Sequence, residues 1–349
     1  MMKITSLFIF LPFLLFPAYS QNHPIVFDYS YNDTAPYNIT LCLGKRDNCF
    51  PFLISTSITE SMIIGRRKLK PENYKTFTKL SENINIGIYK GRSWTGYEVK
   101  DLININNTDI EINDYKFIFV KNGLYLGKYH GIIGLGNSYK RSGIESDFLG
   151  LLTEQGLIDK SSFTFGNRKL LLGSAPDFPF KTKLPKICKT RDKKYINPTY
   201  FFCIIDVVIY QGRKEMLLDD SSDQIRFNLE QYEISCTQAF YKLLIEKIFT
   251  PYIETKLCQE IKAKAKFLES YIICEDKVIE ELGDDEIFFI IGKWSIKFKI
   301  KELYKNKKFL ITFNESIDNW VFGLVLGKYY FVTLDKENHV AVFSKIINE

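Results

Sequence analysis

Phe52-Leu53-Ile54-Ser55-Thr56-Ser57 is an apolar run that breaks into three small hydroxyl residues. It predicts a buried β-strand entering a polar turn, because short apolar runs bounded by turn residues mark strands inside a sheet. Far downstream, Gly131-Ile132-Ile133-Gly134-Leu135-Gly136 sets apolar pairs between glycines. The same pairing of segments is expected a second time. Met216-Leu217-Leu218-Asp219-Asp220-Ser221 is another apolar run into a polar turn, and Trp320-Val321-Phe322-Gly323 is its downstream answer. A unit that occurs twice predicts two similar lobes.

The chain of 349 residues is long enough to give each lobe its own core. Aromatic residues make up 15% of it, mostly Phe and Tyr among many Ile, which favours strands. Charged residues are 25% and the net charge is a modest +6, as in a globular protein. Arg66-Arg67-Lys68-Leu69-Lys70 and Lys305-Asn306-Lys307-Lys308 lack the aromatic partners of a nucleic-acid module, so they are expected to be solvated loops. Strand-like runs at residues 39–43, 49–54, 84–89, 116–120, 163–165 and 170–172 are each bounded by Gly, Asn, Asp or Pro. Helical periodicity is confined to residues 146–156 and 236–250.

Residues 1–20 have the features of a secretory signal: Lys3, an apolar run at 7–16 too short to span a bilayer, and Pro17-Ala18-Tyr19-Ser20 at the cleavage site. No later segment is long and apolar enough to be a transmembrane helix. The expected location is therefore extracellular, reached through the secretory pathway. In that oxidising route the seven cysteines should largely pair. Cys42 and Cys49 flank a turn and would staple one hairpin. Sequons occur at Asn32, Asn38, Asn106 and Asn314, plausible glycan sites on a secreted chain. With three histidines and no Cys-x-x-Cys pair, neither a metal nor another cofactor is expected.

These segments, in this order, resemble the pepsin-like aspartic peptidases. In that family each lobe carries an Asp-Thr-Gly turn beside an apolar-apolar-Gly strand. Further segments share the resemblance: Gly96-Tyr97-Glu98-Val99-Lys100-Asp101, the run from Phe148 to Ile158, Ser162-Phe163-Thr164-Phe165 with Leu171-Leu172-Gly173, and the run from Tyr330 to Asn338. The resemblance implies an all-β, bilobal fold with a few short helices and a cleft between the lobes. Residues 21–178 would form the N-terminal lobe and residues 179–349 the C-terminal lobe, with the Pro-containing stretch 174–185 as the link. It places Tyr89 on a flap hairpin over the cleft. It also implies a C-lobe disulfide between Cys258 and Cys274. Cys188, Cys203 and Cys236 then remain, with Cys188–Cys203 as the preferred pair and one thiol left over.

The family's chemistry needs two carboxylates that share a proton, one acting as base toward water and the other as acid toward the scissile carbonyl. On this alignment Ser55 replaces one aspartate and Asp219 keeps the other. Ser57 and Ser221 replace the turn glycines, and Asp220 replaces the second Thr, while Thr56 keeps the first. Losing one member of such a unit costs most of the rate. The expectation is a secreted monomer without peptidase activity, its cleft or surface binding a peptide, a glycan or another secreted protein. The alternatives are an active, divergent aspartic endopeptidase and a surface-coat component.

Overall fold

The computed structural model describes residues 24–29, 36–44, 48–65, 76–81, 85–89, 92–136, 147–174, 186–189, 203–211, 214–265, 268–291, 294–315, 319–338 and 340–346. The expected signal segment, the sequon at Asn32 and the link between lobes beyond Ser174 lie outside them. Of residues 186–189, 203–211 and 214–224 only the backbone is described, so the Cys188–Cys203 pairing is also outside.

The chain is mostly β, in two lobes, with a few short helices. The N-terminal lobe is built on an eight-stranded sheet. The C-terminal lobe has a seven-stranded sheet and a smaller four-stranded one. A six-stranded sheet draws Ile25–Asp28, Ser162–Gly166 and Lys169–Leu172 from one half of the chain and Tyr330–Asp335, Val340–Lys345 and Lys186–Lys189 from the other. Its central seam pairs Ser162–Gly166 with Tyr330–Asp335 antiparallel, and Thr164 and Thr333 join hydroxyls across it at 2.7 Å. The strand Ile25–Asp28 extends this sheet by pairing antiparallel with Lys169–Leu172.

Within the largely antiparallel sheets, each lobe contains the same set of four strands. In the first lobe, Cys49–Ser55 runs parallel to Gly131–Gly134. Met62–Ile64 then pairs antiparallel with Gly131–Gly134 and parallel with Glu111–Asn122. In the second lobe, Lys214–Phe227 runs parallel to Trp320–Phe322, and Ile234–Cys236 pairs antiparallel with Trp320–Phe322 and parallel with Ile311–Phe313. The repeat expected from the sequence is thus present in the topology.

Burial explains why these segments are strands. Phe52, Leu53 and Ile54 are all buried, as are Ile132, Ile133, Trp320, Val321 and Phe322. Trp320 packs edge-on to Phe240 and Phe289 at 4.6 and 5.3 Å, forming the aromatic centre of the second lobe. Gly134 and Gly323 end the two answering strands where a Cβ would collide with the backbone oxygens of Thr59 and Glu233 respectively, so only glycine lets the turn close.

The first expected helix forms as Phe148–Glu154, burying Phe148, Leu149 and Leu152. The second begins at Gln238, where the Thr237 hydroxyl caps the Phe240 amide, and runs on through a π-helical stretch, Ile245–Phe249, into Thr250–Glu254. Short helices at Asp276–Leu282 and Val325–Tyr329 were not anticipated. Cys42–Cys49 and Cys258–Cys274 form disulfides, each between residues directly opposed on paired strands. Cys236 is a free, buried thiol.

Candidate functional site at the interlobe turns

Strand register identifies the two turns. In the first lobe Ser55 is aligned with Gly134, the glycine that ends the parallel partner. In the second lobe Phe227 is aligned with Phe322, which puts Asn228 level with Gly323. Asn228, not Asp219, is therefore the counterpart of Ser55. Local hydrogen bonding agrees. The Ser57 amide donates to Ser55 Oγ at 3.1 Å, and the Glu230 amide donates to Asn228 Oδ1 at 2.9 Å. Each is the same two-residue side-chain turn, for which Ser and Asn are well suited.

This corrects the placement of the second turn. Asp219, Asp220 and Ser221 lie inside the strand Lys214–Phe227, with Asp219 opposite Val207 at a bulge in the pairing with Cys203–Gln211. The apolar residues before Asp219 do begin a strand, but the chain continues extended for eight further residues before it turns. Polar residues in mid-strand are no obstacle when ladder partners satisfy the backbone.

Thr56 ties the lobes together. Its hydroxyl donates to the carbonyl of Phe227 at 2.7 Å and accepts from the amide of Leu229 at 3.4 Å. Thr56 is fully buried. Its counterpart by register is Leu229, also fully buried, which has no hydroxyl to return the bond. The interlobe bridge is thus one-sided.

Above the turns, Asn85–Tyr89 and Arg92–Ile105 form the expected flap hairpin, with Tyr89 opposite Arg92. Tyr89 is buried at 4% exposure and its hydroxyl donates to Glu230 Oε2 from across the cleft. Ser55 Oγ, fully buried, donates to Glu230 Oε1. Burial pushes the pKa of the Tyr89 hydroxyl far above its ordinary value, and the neighbouring Glu230 charge and hydrogen bond add to this. It stays protonated and acts as a donor. The half-buried Glu230 carboxylate therefore clasps two first-lobe hydroxyls, one beneath it and one on the flap.

Glu230 stands two residues after Asn228, where the first lobe has Ser57. Sequence reading missed both Asn228 and Glu230 because it sought a carboxylate at the turn. The available signal was the alternation Ile225-Arg226-Phe227 running into Asn228, with Ile225 and Phe227 buried and Arg226 half-buried. Glu60 sits on the first-lobe turn beneath Gly134, apart from the clasp.

The residues level with the two glycines, Ser55 and Asn228, cannot share a titrating proton as a carboxylate pair does. Glu230 could in principle accept a proton from Ser55. A carboxylate is a weak base toward a hydroxyl, and Ser55 has no exposed surface for a substrate to reach. Among the described residues, no group of three or more His, Cys, Asp or Glu is placed to hold a metal ion. None of the described helices is long and apolar enough to cross a membrane. Of the sequons, Asn106 is exposed, Asn38 is half-buried with its amide donating to the Pro36 carbonyl, and Asn314 is only 9% exposed.

No protein-family model matches the sequence, and no curated protein matches it. Among solved structures, the chain is similar to the aspartic proteinase from Irpex lacteus. The TM-score is 0.73 at 10% sequence identity, over 93% of this chain and 98% of that one. With both lobes, the paired turns and the flap hairpin in place, this chain has the bilobal all-β fold of the pepsin-like aspartic proteinases.

Proposed function

We propose that this chain is a secreted protein that uses an aspartic-proteinase fold to bind rather than to cut. The observation that carries the reading is the pair Ser55 and Asn228 at the two turns, level with Gly134 and Gly323. Neither side chain can serve as the acid or the base of the two-carboxylate mechanism. The carboxylate nearby, Glu230, is engaged by Ser55 and Tyr89. The two disulfides fit an extracellular life. The ligand would be a peptide or an extended segment of another secreted protein, held between flap and turns, and the chain would act as a monomer.

The test is a peptidase assay on the purified chain against a denatured protein across acidic and neutral pH, with and without pepstatin. No turnover is expected, and Asp219→Ala should change nothing. Pepstatin-sensitive turnover would sink the proposal. Binding is read separately, by retention of peptides from a casein digest on the immobilised chain. Retention should fall when the flap is altered by Tyr89→Ala.

A further inference from the structure

A cavity of about 680 Å³ opens in the C-terminal lobe, and none of Ser55, Asn228, Glu230 or Tyr89 lines it. That volume suits a small organic molecule. One wall is the continuous helix that runs from Gln238 to Glu254, contributing Tyr241 and Ile245. The facing wall comes from the hairpin strand Cys258–Ile261 and the loop after it, contributing Glu260 and Ala263. Phe313 and Ser270 also line it.

Two features of this place lack an explanation in the fold. The first is the π-helical stretch Ile245–Phe249. It widens the helix at Ile245, whose carbonyl accepts both the amide and the hydroxyl of Thr250. Such stretches are rare and recur at functional sites. The second is the Tyr241 hydroxyl. The residue is 3% exposed, its ring stacks on Phe313 at 5.6 Å, and the hydroxyl is buried with no hydrogen-bond partner among the described residues. Other buried tyrosines do have partners: Tyr89 donates to Glu230, Tyr115 to Ser61, and Tyr330 to the Lys297 carbonyl. Buried hydroxyls without partners are uncommon and costly.

We propose that this cavity binds a small aromatic molecule carrying an uncharged hydrogen-bond acceptor, which packs beside the Tyr241–Phe313 pair and accepts the Tyr241 O–H. Tyr241, Ile245, Ala263 and Phe313 supply apolar and aromatic walls for a flat ring. The lining carries three glutamates, Glu246, Glu260 and Glu315, and three lysines, Lys242, Lys262 and Lys264. Of these it is Glu260 whose charge acts on the Tyr241 hydroxyl, so at that atom an amide or ketone oxygen fits better than a carboxylate.

The probe is benzamide, titrated into the full chain and followed by saturation-transfer NMR, with benzoate as the anionic counterpart. Benzamide should bind and benzoate should bind more weakly. Tyr241→Phe keeps the ring and removes only the hydroxyl. It should weaken benzamide roughly fivefold to tenfold, the worth of one neutral hydrogen bond, while the melting temperature holds or rises. Ala263→Trp, on the opposite half-buried wall, should weaken binding by narrowing the cavity. The proposal is overturned by absence of benzamide binding, by equal affinity in Tyr241→Phe, or by unchanged affinity in Ala263→Trp. A lowered melting temperature in Tyr241→Phe would also overturn it, because the hydroxyl would then have a protein partner.

Discussion

Removing the Glu230 carboxylate should loosen the two lobes, and the size of the effect can be worked from the clasp. In Glu230→Ala the hydroxyls of Ser55 and Tyr89 lose this acceptor. Both are nearly or fully buried, at 0% and 4% exposure, so water cannot readily replace it. A buried donor left without a partner costs about 1–3 kcal/mol, and hydrogen bonds to a charged group fall in a similar range. Glu230 itself is half-buried and regains hydration in the unfolded chain, which places the total near 2–4 kcal/mol rather than at the sum of the upper limits. For domains of this size that corresponds to a fall of roughly 5–10 °C in melting temperature. The assay is denaturant unfolding of wild type, Ser55→Ala, Glu230→Ala and the double variant, with Tyr89→Phe run in parallel. Ser55 and Glu230 should couple by about 1 kcal/mol or more, as contacting residues do. Glu230→Gln retains an acceptor oxygen and should fall between wild type and Glu230→Ala. A loss below about 0.5 kcal/mol in Glu230→Ala, or a strictly additive cycle, would refute the clasp.

Three further outcomes follow from the same geometry. Asp335 is a carboxylate under tension between burial, which raises its pKa, and hydrogen bonds from Asn338 and Lys160 together with the Lys160 charge, which outweigh burial and hold it below the usual range. A depressed pKa contributes stability above the unfolded value of about 3.9 and loses it as pH falls through the folded value, so Asp335→Asn should cost about 1–3 kcal/mol at neutral pH and progressively less in strong acid, measured by unfolding across pH. Installing both acids, Ser55→Asp with Asn228→Asp, should give no peptidase activity while Glu230 is present, and measurable turnover should require Glu230→Gly as well; turnover in Ser55→Asp with Asp219 intact and Asn228 unchanged would contradict the register. Glycosidase treatment followed by mass spectrometry should find a glycan on the exposed Asn106 and none on the nearly buried Asn314.

Much of the architecture was legible because it rests on local pattern. The run Phe52-Leu53-Ile54 stops directly at Ser55, and the strand Cys49–Ser55 stops there too. Cys42 and Cys49 sit either side of a turn and are opposed in the ladder. The second turn was misplaced because the same local rule was applied to a 14-residue strand. In Lys214–Phe227 the polar group Asp219-Asp220-Ser221 interrupts the apolar pattern without ending the strand. What ends it at Phe227 is its neighbour, Trp320–Phe322, nearly a hundred residues away. Pairing over that separation leaves little trace in the local sequence, and parallel pairing in particular has no hairpin turn to announce it. The second helix was foreseen over residues 236–250, and the structure carries it on to Glu254; what the periodicity did not announce is the π-helical geometry of Ile245–Phe249.

Once Asn228 is placed, the departures at the turns form one consistent set. A carboxylate pair needs two acids, each level with a terminal glycine, and small residues after them so the turns can meet. Here both level positions are neutral, so no like-charge repulsion opposes a carboxylate arriving between the lobes. Leu229 cannot return the bond that Thr56 gives, which leaves the interlobe bridge one-sided. Glu230 supplies what that bridge lacks, with two charge-assisted contacts to Ser55 and to Tyr89 on the flap. An acid at either level position would stand close to this carboxylate and force one of the two to neutralise or withdraw. Glu230 is therefore compatible with Ser55 and Asn228 and poorly compatible with a working aspartate pair. It is this mutual dependence, more than any single substitution, that favours a binding protein over a peptidase.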